Sequence, residues 1–276
     1  MRAVMLLPSF ITGLLLVLAS FAGNVESEEV EEDKTVGYGI GREQWRGEVN
    51  LLSWAPRVYH LKGFLSDFEC DHLKELGKPT LHASSVVDHD TGKPKPSNAR
   101  TSQGTFLARG MDDVVSRVEE RVAQVTMLPV SHQESMQILR YQQGEKYSPH
   151  HDFFHHETHT SVSAGGQRIM TVLMYIETPL EGGETVFPRA DRRSSGPGWS
   201  ACARAGMSVK PIKGDAVMFY SLFPNGTADA SSLHGSCPTL QGEKWSATKW
   251  IRVWSRDVQS VPLLLRNRKE LRDRVV

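Results

Sequence analysis

The chain has 276 residues, of which 39% are hydrophobic and 23% charged, enough apolar material for a packed core and too little bias for a disordered or collagen-like chain. Lys and Arg total 32 and Asp and Glu total 32, so there is no basic excess to draw in a polyanion, and nucleic acid is not an expected partner. Three cysteines without a CxxC spacing exclude a disulfide scaffold and a zinc ribbon, leaving room for one intrachain bridge.

The first element is the uncharged run from Ala3 to Ala22, preceded by Arg2. It has about the length needed to cross a bilayer. Because it is apolar all round, residues 1–25 read as an N-terminal signal anchor, or as a signal peptide if Ser20-Phe21-Ala22 marks a cleavage site. Arg2 on the near side and Glu26, Glu28, Glu29, Glu31, Glu32 and Asp33 beyond predict a cytosolic N-terminus and a luminal body. The expectation is a single-pass type II protein of the endoplasmic reticulum or Golgi membrane. Residues 26–50 read as an acidic luminal stem, 51–256 as the folded domain and 257–276 as a tail with a short helix over Val261–Val276. Asn225-Gly226-Thr227 is a glycosylation sequon compatible with a luminal position.

Within the domain, Ser66-Asp67-Phe68-Glu69 has the form of a capping box, and Leu73 and Leu76 follow before Gly77, which predicts a helix over Asp67–Leu76. Val114, Val118, Val122 and Val125 recur at helical spacing after Asp112-Asp113, predicting a second helix before Pro129. The runs Met136–Tyr141, Arg168–Ile176, Ala216–Tyr220 and Trp245–Trp254 are β-branched and aromatic and are punctuated by Gly and Pro, so they read as strands. Many short strands with flanking helices point to a mainly β (α+β) sandwich or barrel. Ser84–Arg100 and Pro188–Arg204 are polar and turn-rich, the marks of long loops that are either functional covers or disordered.

The chemistry concentrates in His150-His151-Asp152-Phe153-Phe154-His155-His156-Glu157-Thr158-His159. In a strand, residues i and i+2 share a face, so His150 and Asp152 point together while His151 points away. A histidine and a carboxylate converging on one point supply two ligands of a facial triad, which leaves positions open on a ferrous ion. His234, in Ser232-Leu233-His234-Gly235, is the candidate third ligand. Lys244, ten positions later, is a candidate cation for the distal carboxylate of a 2-oxoglutarate cosubstrate.

Arg140-Tyr141, Tyr147-Ser-Pro-His150-His-Asp152, Gly166-Gln-Arg168, Glu181-Gly-Gly-Glu-Thr185, Ser232-Leu-His234-Gly-Ser-Cys237 and Lys244-Trp resemble the prolyl 4-hydroxylases of plants and green algae. The resemblance runs from near Leu52 to about Trp254, making 51–256 the Fe(II)/2-oxoglutarate dioxygenase catalytic domain. It implies a double-stranded β-helix, or jelly roll, with iron held by His150, Asp152 and His234. It also implies 2-oxoglutarate held by Lys244, Tyr141 and Thr185, with Tyr147 and Arg168 at the peptide and dioxygen and ascorbate as further cofactors. The implied reaction converts peptidyl proline to 4-hydroxyproline, with 2-oxoglutarate going to succinate and carbon dioxide, and the implied partner is a proline-rich polyproline II chain. Two positions depart from the family pattern: His151 stands where an aromatic residue is common, and Arg252 where a histidine is often seen. Of the three possible cysteine pairings, Cys202–Cys237 is expected, because Cys70 shares an apolar helix face with Leu73; the resemblance suggests the same pairing. Two other readings are weaker. A non-catalytic luminal jelly-roll binding protein would be expected to lose part of the triad or Lys244, and a zinc hydrolase of the HExxH type lacks its general-base glutamate.

Overall fold

The computed structural model describes residues 45–87, 94–95 and 97–257; the run read as a signal anchor, most of the stretch read as a stem and the tail after Asp257 with its expected helix lie outside the described residues. At its centre is an eight-stranded sheet. Its members are β1 (Glu48–Trp54), β2 (Arg57–Lys62), β3 (His82–Ala83), β4 (Gln103–Leu107), β5 (Met136–Tyr141), β7 (Arg168–Glu177), β10 (Ala216–Tyr220) and β12 (Lys244–Arg252). They lie in the order β1–β2–β10–β7–β12–β5–β4–β3, with every neighbouring pair antiparallel. A second sheet of four strands runs β9 (Met207–Val209), β8 (Thr185–Phe187), β11 (His234–Ser236) and β6 (Tyr147–His150), also antiparallel. The two sheets make the expected jelly roll.

The predicted strands at Met136–Tyr141 and Ala216–Tyr220 have the observed bounds, and the other two shift by one or two residues at their ends. Strands β7 and β12 are covered on both faces, which is why they read as continuous apolar runs. Along β7, Met170, Val172, Met174 and Ile176 enter the core that also holds α1 and α2 residues, while Tyr175 packs with Phe187, Met207, Val209 and Phe219 in the core between the sheets. Along β12, Trp245, Ala247 and Ile251 take the helix side. The alternation therefore turns Lys244, Ser246, Thr248 and Trp250 toward the inside of the roll, where all four line one pocket.

Helix α1 spans Asp67–Gly77 behind the predicted capping box: the Ser66 side chain accepts from the Glu69 amide, and Glu69 Oε2 accepts from the Ser66 amide at 2.9 Å. Helix α2 spans Asp113–Thr126, capped by Asp112 and ended by Met127 in the left-handed conformation. Val115, Val118 and Val122 join Cys70 and Leu73 of α1 in the main core. An ion pair buried on both sides, Lys249 Nζ to Glu119 Oε1 at 2.7 Å, ties β12 to α2. Each charge needs the other, since an isolated one would have to be buried alone.

Candidate active site

Two strands of the small sheet bring the histidines together. His150 ends β6 and His234 begins β11, and the antiparallel register sets them directly opposite, with ring centroids 4.4 Å apart. Each Nδ1 lies 3.0 Å from the carbonyl two residues earlier, Ser148 for one ring and Ser232 for the other. A carbonyl can only accept, so each Nδ1 carries the proton and each Nε2 offers a lone pair. Both lone pairs face Asp152: His150 Nε2 is 3.6 Å from Oδ1 and His234 Nε2 is 3.6 Å from Oδ2. Burial pushes the His234 imidazole down to about 4, so it is neutral, as a metal ligand must be.

Asp152 lies just beyond the end of β6, so its convergence with His150 is set by the bend that follows the strand and not by strand alternation alone. Thr171 of β7 donates to Asp152 Oδ2 at 2.6 Å and fixes the carboxylate. The ligand atoms of His150, Asp152 and His234 all lie within 4.8 Å of one another. His151 turns away, its Nε2 against the Ala230 carbonyl at 3.1 Å and its ring stacked on Phe153. Two imidazoles and one carboxylate, each braced from behind, fit a ferrous ion with positions left open.

Behind the triad a pocket runs to Lys244, which is 1% exposed. Its Nζ donates to Ser236 Oγ at 2.8 Å and sits 5.2 Å from the centre of the Tyr141 ring. Burial pushes the Tyr141 phenol up, with partial relief from Arg100, Ser102 and Ser236. Thr185 Oγ1 accepts from the Tyr175 hydroxyl at 2.9 Å. Burial pushes the Lys244 ammonium down to about 7, with partial relief from the Glu184 charge, and the polar contact it makes is the Ser236 hydroxyl. A buried ammonium surrounded by hydroxyls is a receptor for a carboxylate.

In front of the triad a groove of about 620 Å³ opens to solvent, lined by Phe106, Tyr147, Phe153, Phe154, Arg168 and Trp250 among others. Tyr147 stacks on His150 at 3.6 Å, with the Arg100 guanidinium 4.6 Å from its ring centre. Arg168 makes a bidentate pair with Glu134 at 2.7 and 2.9 Å and lies 3.8 Å over Trp250. Thus His150, Asp152, His234, Lys244, Tyr141 and Thr185 share one pocket, Tyr147 stands at its mouth, and Arg168 lies in the groove. Asn225 sits apart on an exposed turn, where its Oδ1 accepts from the Thr227 amide and hydroxyl at 3.0 and 2.7 Å.

Sequence reasoning missed Thr171, Tyr175, Ser236 and Arg100. Alternation along a strand could have found the third, two residues after His234 on β11. Thr171 and Tyr175 come from β7 and Arg100 from a loop, and only the closed roll brings them near the site.

Cys202 and Cys237 form the expected disulfide across 35 residues, and Cys70 is free and buried. Burial pushes the Cys70 thiol up to about 12, which leaves it inert. The bridge follows β11, so it anchors the strand that carries His234. Cys237→Ser is expected to cost about 3–4 kcal/mol of stability on loop-closure grounds and to weaken iron retention. Thermal unfolding and metal analysis check both, and full iron occupancy in the variant would remove the second expectation.

A family profile described as the 2OG-Fe(II) oxygenase superfamily matches residues 136–252, which include every triad residue and Lys244. "Probable prolyl 4-hydroxylase 7" of Arabidopsis thaliana is 48% identical over 237 residues, covering 85% of this chain and 74% of its own. The chain belongs to the prolyl 4-hydroxylase family. "Prolyl 4-hydroxylase 5" of the same plant is 48% identical over 219 residues, 77% of this chain and 75% of its own. Among solved structures, a viral collagen prolyl hydroxylase from Paramecium bursaria Chlorella virus-1 in complex with 2-oxoglutarate superposes with a TM-score of 0.53 at 26% identity. That match covers 71% of this chain and 95% of the viral one. As a 2-oxoglutarate/Fe(II) oxygenase the protein uses Fe(II), 2-oxoglutarate and dioxygen, and ascorbate is typical of the family.

Proposed function

We propose that the protein converts peptidyl proline to 4-hydroxyproline in proline-rich chains of the secretory pathway, from a luminal catalytic domain tethered to the endoplasmic reticulum or Golgi membrane by its N-terminal run. The balanced reaction takes a prolyl residue, dioxygen and 2-oxoglutarate to a hydroxyprolyl residue, succinate and carbon dioxide. One observation carries this reading: the triad stands between a pocket that ends in a buried lysine and a groove lined by aromatic rings. Fe(II) bound at the triad supplies the oxygen activation that couples loss of carbon dioxide to hydroxylation.

The side chains do the positioning. Lys244 receives the distal carboxylate of 2-oxoglutarate, and the hydroxyls of Tyr141, Thr185 and Ser236 beside it replace the water that the carboxylate leaves behind. Burial of this end keeps solvent from the reacting carbons. In the groove, Tyr147 and Trp250 offer flat faces to a proline ring, and Arg168 offers donors to peptide carbonyls. A polyproline II segment suits such a groove because it is ordered before it binds. The sequon at Asn225, exposed on its turn, agrees with a luminal domain.

The test is mass spectrometry of a proline-rich peptide incubated with the full-length protein, Fe(II), ascorbate and 2-oxoglutarate. A gain of one oxygen on proline with matching succinate supports the reading; succinate without peptide oxidation overturns the substrate assignment. Loss of a deglycosylation-sensitive gel shift in Asn225→Gln supports the luminal placement, and absence of any such shift in the parent protein counts against it.

Lys244 also sets a pH dependence. Below about pH 7 the ammonium is already charged and 2-oxoglutarate binds without proton uptake; above it, each binding event must add a proton. The apparent KM for 2-oxoglutarate is therefore expected to be flat below about pH 7 and to rise up to roughly tenfold per pH unit above it. Steady-state kinetics from pH 6 to 8.5 check this, and a flat profile would show that Lys244 keeps its proton throughout.

A further inference from the structure

Arg252 closes β12, where the register against β7 slips between Ile251 and Arg252. Its side chain is 6% exposed and is not among the residues that line the groove. One guanidinium nitrogen, Nη1, donates to the His159 carbonyl at 2.8 Å and to the Gly166 carbonyl. The guanidinium carbon lies 4.6 Å from the centre of the Phe154 ring, and that of Arg168 lies 4.6 Å from the same ring. Phe154, His155, His156 and His159 all face the groove, so Arg252 grips the histidine-rich segment from behind.

The grip is reinforced on both sides. The Val253 amide donates to Gln167 O at 2.9 Å and the Trp254 amide to Gly165 O at 2.8 Å, while Gln167 exchanges side-chain bonds with both backbone groups of Phe154. Gly165, at φ +92°, lets the backbone lie against two arginine stems, since a Cβ there would stand 2.8 Å from Arg256 Cγ and 3.3 Å from Arg252 Cβ. Arg252 Nε lies 2.7 Å from Glu134 Oε1 as an ion-pair contact without a hydrogen bond, next to the Arg168 Nε that donates to the same oxygen at 2.7 Å. One carboxylate thus lies against two guanidinium groups, hydrogen bonded to Arg168 and paired by charge with Arg252.

We propose that Arg252 is a positioning residue for the peptide: it holds Phe153–Gly166 as a fixed wall of the groove and, through Glu134, sets the angle at which Arg168 meets the substrate. The proposal rests on the reading that this groove takes the peptide. The wall starts beside Asp152 and runs outward along the groove through His155, His156 and His159, so its outer part meets residues flanking the reacting proline. Its contribution should therefore grow with peptide length and appear in KM, where uniform binding is felt.

Arg252→Gln and Arg252→Lys in the full-length protein test this. For a ten-residue proline-rich peptide, Arg252→Gln is expected to raise the peptide KM about tenfold with kcat and the 2-oxoglutarate KM within twofold, while a tripeptide changes by less than twofold. Arg252→Lys keeps a charge but offers one nitrogen, which cannot reach the Glu134 carboxylate and the two carbonyls together, so it should fall between. Amide hydrogen exchange of residues 153–166 should quicken at least tenfold in Arg252→Gln, with β7 and β12 little changed. A kcat that falls in step with kcat/KM, a KM penalty independent of peptide length, or unchanged exchange in 153–166 would overturn the proposal. If the parent protein leaves the peptide untouched, the substrate reading fails, and the exchange experiment still decides whether Arg252 holds the wall.

Discussion

Alanine at any one of His150, Asp152 or His234 is expected to reduce hydroxylation by more than about 100-fold, since losing even an outer partner of a metal ligand costs roughly 10–100-fold. The three are not equivalent to the histidine beside them. His151 contributes one bond to the Ala230 carbonyl and a stack on Phe153, so His151→Phe should keep most of the activity. Formation of 4-hydroxyproline and bound iron, measured together on the four variants, separate ligand loss from general damage. An equal loss in all four would mean that the division of this segment into an inward and an outward side is wrong.

The second large effect belongs to the far end of the pocket. Lys244→Ala is expected to raise the 2-oxoglutarate KM by about 100-fold or more, the scale of stranding one partner of a buried charge pair, about 3–5 kcal/mol. The variant also loses the donor that faces Ser236, so the hydroxyl cluster around Tyr141 has no cation to organise it. Iron binding should persist, because Lys244 touches none of the triad. Unchanged dependence of succinate release on 2-oxoglutarate would remove Lys244 from the site.

Much of this was legible before any coordinates. The helix at Asp67 announces itself through local chemistry, because a capping box involves only four consecutive residues. The strands at Met136 and Ala216 are equally local, bounded by turn residues and filled with side chains that suit a pleated surface. Sequence reasoning fails where an interaction joins distant segments. Thr171 looks like an ordinary β-branched strand residue until the roll closes and its hydroxyl meets Asp152. Arg100 sits in a stretch that reads as loop, and its stack on Tyr147 needs an isolated bridge between two segments with no shared pattern. Arg252 stands out in sequence only as a departure; its partners at His159, Gly166 and Glu134 come from three places that composition does not link.

The pairing of β6 with β11 has a consequence for how the enzyme acquires its metal during synthesis. His150 and Asp152 leave the ribosome some eighty residues before His234, and the register that sets the two histidines opposite each other exists only after the small sheet has formed. The unfinished chain can present two ligands but not three, and contacts so far apart in sequence form late. Iron therefore cannot seed the fold; it can only reward a roll that has already closed. A nascent chain in the histidine-rich stretch is then a weak, nonselective binder of any divalent ion, and discrimination in favour of Fe(II) begins only when β11 locks into place.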